Sequence, residues 1–303
     1  MEKLPEKWQN LPQEQILIPT DEGLTNRHQA EHSLGGLTDK YFTDGDNYPR
    51  EEMRFIKIDD GQTNPETGEF TPKFQGLRED LISRALKFTN LRDMIQYRSK
   101  VILTPTGWQA CTESNSYQED DYQERTFFDI TNDYRHRNET IDSDYDTEDA
   151  DYGIMDKQIQ WYQLDSGVDF SEDLFKLWSF DSIINNVDRL NNSGNMGLMS
   201  PEFESWDDYK LVPPFDWGDS FQRDLMEDMN WQAAKKEAKA FRRFIAQYTG
   251  KDNILLEIDS DGIFDLLRNY TNPIYSSSEV DDVKNWFETS LNTTRDILWT
   301  EKQ

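Results

Sequence analysis

The sequence predicts an α+β protein with an extended N-terminal arm, a mixed strand and helix middle carrying acidic loops, and a helical C-terminal part. Three observations support that expectation. Apolar residues recur at helical spacing in four segments, short aromatic and β-branched runs follow the first of these, and six prolines break up residues 1–75.

Taken in order, Pro5, Pro12, Pro19, Pro49, Pro65 and Pro72, with the turn group Thr43–Asn47, interrupt any period before it is established. Trp8, Ile16, Leu17, Ile18, Tyr41, Phe42 and Phe55 could anchor such an arm on a neighbouring surface. A helix is expected over 76–100, where Leu77, Leu81, Ile82, Ala85, Leu86, Leu91, Met94 and Ile95 follow the helical period. Strands are expected at Val101–Thr104, Thr126–Ile130 and Gln158–Leu164, separated by acidic loops. Helices are expected over 170–191, 220–249 and 278–299. Asp169 or Ser171 caps the first, Gly250 stops the second and the Ser276–Ser278 cluster starts the third. Asn191–Gly197 reads as a linker and Pro213–Gly218 as a turn. The expected divisions are therefore an arm over 1–75, a middle over 76–192, a linker and turn region over 193–218 and a helical part over 219–303.

Charge is the most uneven feature. The chain carries 60 Asp plus Glu against 32 Lys plus Arg, a formal net charge of -28. Residues 101–230 hold 30 of those acids and only 8 bases, and from Glu139 to Asp173 12 acids face Lys157 alone. Such a block repels itself and phosphate alike, so it is solvated, ion-bound or turned towards a basic partner. Asp142, Asp144, Asp146, Glu148, Asp149 and Asp151 are the candidate acidic surface. The opposing basic candidates are Lys235, Lys236, Lys239, Arg242 and Arg243 on the third expected helix. Lys235, Lys239 and Arg242 share one stripe, beside that of Lys236 and Arg243.

Leu, Ile, Val and Phe total only 66 residues, a thin supply for a chain of 303. Against disorder stand the 9 Trp, 13 Tyr and 17 Phe, each able to bury roughly 150–250 Å². Cys111 is alone and is expected as a small packed residue. The opening MEKLPEKWQNLPQEQ lacks the regions of a secretory signal, and no run reaches the ~18 apolar residues of a membrane span. A cytoplasmic or virion location is expected.

His28-Gln-Ala-Glu31-His32 fits the H-x-x-E-H pattern in which two imidazoles bind zinc and a carboxylate acts as base. Gly35 and Gly36 follow at once, without an apolar helix to orient a metal site, so a solvated loop is expected. Asp142-Ser-Asp144-Tyr-Asp146 opens like a calcium loop but has Thr147 where glycine and Gly153 where glutamate is needed. Asp259-Ser-Asp261-Gly262 is equally incomplete. No P-loop, G-x-G-x-x-G or G-x-S-x-G is present. No catalytic residue, metal or cofactor is therefore expected, and His28, Glu31 and His32 are the residues to mutate first should the chain prove to be an enzyme.

These features lead to the expectation of a non-catalytic assembly protein in a larger homo-oligomer, held by heterologous contacts between acidic and basic surfaces. Neither a membrane nor tight nucleic-acid binding is implied. A virion head-tail connector or DNA conduit, whose acidic lining repels phosphate, is the most specific form. The alternative is an acidic DNA mimic that inhibits a nucleic-acid-binding partner.

Overall fold

The computed structural model describes residues 3–19, 24–27, 40–43, 53–59, 61–63, 70–72, 74–91, 94–116, 122–137, 150–186, 188–191, 195–201, 209–250 and 256–301. Its first part is a curled sheet with one buried helix. The chain runs through β1 (Ile16–Leu17), β2 (Leu24–Arg27), β3 (Lys40–Thr43), β4 (Arg54–Ile58) and the hairpin β5 (Gly61–Thr63) to β6 (Phe70–Pro72). Helix α1 (Gln75–Ala85), β7 (Tyr97–Thr104) and β8 (Gly107–Asn115) follow. Six strands form one sheet in the order β1-β7-β8-β4-β3-β2, with β1 parallel to β7 and the remaining pairs antiparallel.

Alternation along β4 puts Ile56 and Ile58 into an apolar cluster with Leu17, Ile102 and Cys111. Lys57 therefore points to the opposite face, which α1 covers. That helix has little solvent-facing surface, and Arg78, Glu79 and Asp80 are buried along with Leu77, Leu81 and Ile82. Charges so placed need partners, and each of the three has them.

The second part is helical. It comprises β9 (Tyr122–Thr126), α2 (Phe127–His136), α3 (Ala150–Ser166), α4 (Ser171–Ile184), α5 (Asp188–Asn191), β10 (Gly197–Pro201) and β11 (Lys210–Leu211). Then come α6 (Arg223–Glu227), α7 (Trp231–Thr249), β12 (Leu256–Ile258), α8 (Ser260–Asn269), α9 (Ser277–Leu298) and β13 (Trp299–Glu301). Aromatic residues build its core. Phe175 and Trp178 on α4 pack with Phe241, Phe244 and Ile245 on α7 and with Phe287 and Leu291 on α9. Tyr152 of α3 stacks on Phe244 with centroids 4.8 Å apart. Ser276 caps α9 in a full capping box with Glu279, and Gly250 ends α7 at φ 63°, as their positions in the sequence predict.

The α+β class holds, but several elements differ from expectation. The helix expected over 76–100 ends at Ala85, and its last residues belong to β7. Thr126–Ile130 is the end of a strand and the start of α2, because Thr126 caps the helix, its hydroxyl oxygen accepting from the Asp129 amide while the Asp129 carboxylate accepts from the Thr126 amide. Gln158–Leu164 lies inside α3, where Met155, Ile159 and Tyr162 follow helical spacing into the core. The supposed arm contributes β1 to β4 to the main sheet, and its anchors Leu17, Tyr41 and Phe42 are buried within this chain. Long-range pairing, not local period, orders that segment.

A buried ion pair fixes the segment between α4 and β10. Arg189 Nε donates to Asp181 Oδ2 at 2.7 Å, and its Nη1 donates to the carbonyls of Asn195 (3.2 Å) and Phe215 (3.0 Å). Its guanidinium also lies 4.4 Å from the Trp217 ring centroid. Burial pushes the Asp181 carboxyl up to about 6, against the pull of Arg189 and the Asn186 amide. Without the guanidinium that value rises further. The native state then binds a proton that the unfolded chain releases near pH 4, so stability falls as pH rises from about 4 through the elevated native value. Arg189→Met is expected to destabilise by about 3–5 kcal/mol at pH 8 and by less at pH 5, as read from urea unfolding at both values. A second expectation concerns β10, where a Cβ on Gly197 would lie 2.5 Å from the Arg125 carbonyl oxygen of β9. Gly197→Ala should cost about 1–3 kcal/mol in the same assay.

Candidate active site

Lys57 is where the sheet, α1 and the segment after β11 meet. Its Nζ lies 3.4 Å from Glu79 Oε1 and 2.6 Å from Asp216 Oδ1. Burial opposes its charge, yet the two carboxylates outweigh that penalty and hold its pKa above the ordinary lysine value. Glu79 is pushed upward by burial and by Asp216, while Lys57 pulls it back. The other Glu79 oxygen accepts from the Thr112 hydroxyl of β8 at 2.6 Å.

Asp216 is placed by its backbone as well. Its amide donates to the Tyr97 hydroxyl at 3.2 Å, and its φ of 59° lies in the left-handed region that aspartate tolerates better than most residues. The residues after it are clamped to α1. Arg78 donates to the carbonyls of Gly218 (2.8 Å) and Ser220 (3.0 Å). A Cβ on Gly218 would meet Gln75 Cβ at 3.1 Å and Glu79 Oε1 at 3.3 Å, so glycine permits that approach. Trp217 is buried edge-on against Phe180, 5.7 Å between centroids.

Asp188 and Asn195 form the facing pair. Asn195 Nδ2 donates to Asp188 Oδ2 at 2.7 Å. Arg189 binds the carbonyls of both Asn195 and Phe215, so one guanidinium ties this pair to the residue preceding Asp216. A half-buried carboxylate, a carboxamide and a lysine are thus brought in from separate segments, the lysine bonded to Asp216 and the carboxamide to Asp188. Carboxylate and carboxamide oxygens are donors that a magnesium-type ion takes, and Asp216 and Asn195 are the residues here that offer them. Among the described residues, no group of three or more His, Cys, Asp or Glu side chains is gathered for a metal.

The residues singled out from the sequence lie elsewhere. His28, Glu31 and His32 are outside the described residues, as are Asp142, Asp144, Asp146, Glu148 and Asp149. Asp151 falls near the start of α3. Lys235, Lys236, Lys239 and Arg243 are exposed on α7, with Arg242 partly buried. Asp259 caps α8 by accepting from the Gly262 amide, which explains its Asp-Ser-Asp-Gly run without a metal. The linker and the turn instead carry Asn195 and Asp216. Two signals that could have found the site were passed over: Phe55-Ile-Lys57 in a strand-forming run, and Asp216-Trp-Gly218 after a Pro-Pro pair.

No protein-family model matches the chain, and no curated protein matches it. Among the described residues no helix is long and apolar enough to cross a membrane. Among solved structures, the chain is similar to the crystal structure of the Helicobacter pylori proinflammatory kinase CtkA, with a TM-score of 0.53 at 13% identity. The match covers 90% of this chain and 94% of that one. This corrects the expectation of a non-catalytic virion connector or DNA conduit and its DNA-mimic alternative, because nearly the whole chain follows the fold of a bacterial kinase. The expectation of no enzyme is corrected on the same ground. What the chain shares with that protein is its fold.

Proposed function

We propose that the chain is a kinase, transferring the γ-phosphoryl group of a nucleoside triphosphate to a hydroxyl acceptor. The observation that carries this reading is Lys57 held between Glu79 at 3.4 Å and Asp216 at 2.6 Å. Protein kinases place a strand lysine against a helix glutamate to grip phosphates, use an Asp-Phe-Gly aspartate and a catalytic-loop asparagine at magnesium, and employ a catalytic-loop aspartate as base. Here those types occur in the same chain order: Lys57, Glu79, Asp188, Asn195 and Asp216. Phe55-Ile-Lys57 parallels V-A-I-K, and Asp216-Trp-Gly218 parallels D-F-G. Asn195 stands seven residues after Asp188, two more than in H-R-D-L-x-x-x-N, and their 2.7 Å hydrogen bond spans the longer loop.

The roles follow from donors and charge. Lys57 has three N–H donors, of which Glu79 and Asp216 take two, so one is available for a phosphate oxygen. Asp188 receives the proton of the acceptor hydroxyl as its oxygen bonds to the γ-phosphorus and the bond to the bridging oxygen breaks, releasing the diphosphate. Arg189 positions Asn195 and the backbone before Asp216 without touching the substrate. Bound through Asp216 and Asn195, magnesium would neutralise charge on the phosphate oxygens. Three carboxylates, those of Glu79, Asp216 and Asp188, outnumber Lys57 here, so a polyanion needs that added positive charge.

The test is transfer of labelled γ-phosphate from ATP, with magnesium, to water, to the chain itself and to a panel of hydroxyl acceptors. Lys57→Met, Asp188→Asn and Asp216→Asn are each expected to lower turnover by about 10²-fold or more, with Asp188→Asn leaving the thermal midpoint in place. EDTA should abolish the wild-type rate. A wild-type chain that turns over no triphosphate, or variants as active as wild type, would overturn the reading.

A further inference from the structure

A cavity of about 240 Å³ opens between the end of α1, the start of β7, the turn before β1 and the loop after α8. Lys57, Glu79, Asp188 and Asp216 do not line it. It exists because β1 pairs with β7 only at Val101 and Ile102, which leaves the edge at Arg98, Ser99 and Lys100 uncovered by that strand.

Its chemistry is unusual for so acidic a chain. Arg84, Arg98 and Lys100 line it with only Asp80 and Glu14 opposed to them. Asp80 is already committed, accepting two bonds from Arg84 at 3.1 Å and one from the Tyr270 hydroxyl at 2.6 Å. Lys100 Nζ lies 2.6 Å from Glu113. The Arg98 side chain has no hydrogen bond or ion pair among the described residues. Gln15 is also in the wall, but its unpartnered Oε1 is sealed from solvent and does not face the cavity. A guanidinium with no partner among the described residues, flanked in the wall by Arg84 and Lys100, calls for a small anion. A phosphate monoester fits, since it carries up to two charges and offers paired oxygens to a guanidinium fork. The volume equals roughly eight waters and lies below the ~300 Å³ at which pockets for larger organic ligands begin.

We propose that this cavity is a second site, separate from that of Lys57, for a phosphate monoester or inorganic phosphate held by Arg98 with Arg84. It does not depend on the kinase reading. The phosphate could arrive free or on a phosphorylated side chain, and calorimetry of the full chain in EDTA distinguishes these. The probes are inorganic phosphate, a short phosphoserine peptide and its unphosphorylated form. One phosphate probe is expected to bind, with Arg98→Ala weakening it about tenfold or more and Asp188→Asn leaving it unchanged. Tighter binding of the phosphoserine peptide assigns a modified side chain, whereas tighter inorganic phosphate assigns a free ligand. Arg98 is exposed, so its removal leaves folding intact. The proposal is overturned if neither phosphate probe binds, if Arg98→Ala binds as wild type, or if Asp188→Asn abolishes binding. Loss of triphosphate turnover with this binding retained would count only against the kinase reading.

Discussion

A lysine set into the covered face of a sheet is tolerable only while its charge is answered, and Lys57 is answered twice. Glu79 comes from α1 and Asp216 from the segment after β11, so one ammonium fixes three separately folded pieces relative to one another. The arrangement is over-determined. Arg78 on the same helix holds the carbonyls of Gly218 and Ser220, and the glycine lets that backbone approach α1. Withdrawing one carboxylate would leave buried charge behind, a larger penalty than any single surface pair carries. The left-handed backbone at Asp216 is held within this frame, where strain can persist because the surroundings dictate the geometry.

Arg189 plays the matching part in the helical region. It has no route to solvent, yet it bonds Asp181, spans two carbonyls and lies over Trp217. The two cations divide the work. Lys57 is shared between two carboxylates, whereas Arg189 ties Asn195 and Phe215 together through their carbonyls and keeps one buried nitrogen, Nη2, without a hydrogen-bond partner among the described residues. On the kinase reading we propose, only Lys57 would meet substrate, and in a chain of net charge -28 a metal would be needed beside it to receive a polyanion.

Much of the helical half was legible. Where an apolar stripe coincided with a cap, as from Ser276 through α9 or from α7 to Gly250, both extent and ends follow from local chemistry. The first 75 residues were not, because β1 to β4 are short and the pairings that anchor them, β1 with β7 and β4 with β8, reach far along the chain. Gln158–Leu164 misled for another reason: aromatic residues suggested a strand, although Gln, Lys and Met around them favour helix. The site was the least legible part. Its residues are ordinary acids, an asparagine and a lysine spread from 57 to 216, and in a chain with 60 acids no pair stands out. Asn195 and Asp216 sit in Gly, Asn and Pro rich stretches that composition alone assigns to connections. Loops on a rigid scaffold are also where reactive groups are commonly placed.

The acidic surplus itself then needs less explanation than its size suggests. Among the described carboxylates withdrawn from water and matched with a cation or hydroxyl are Glu79, Asp80, Asp181 and Asp59, the last accepting from Tyr275 and the Gly76 amide. Three of these four touch or sit on α1. The helix thus faces Lys57 with Glu79, the Asp216 segment with Arg78, and the phosphate-sized cavity with Asp80 and Arg84, all within seven residues. Breaking any one of these pairings leaves a buried charge unmatched, so the helix is held from three sides at once.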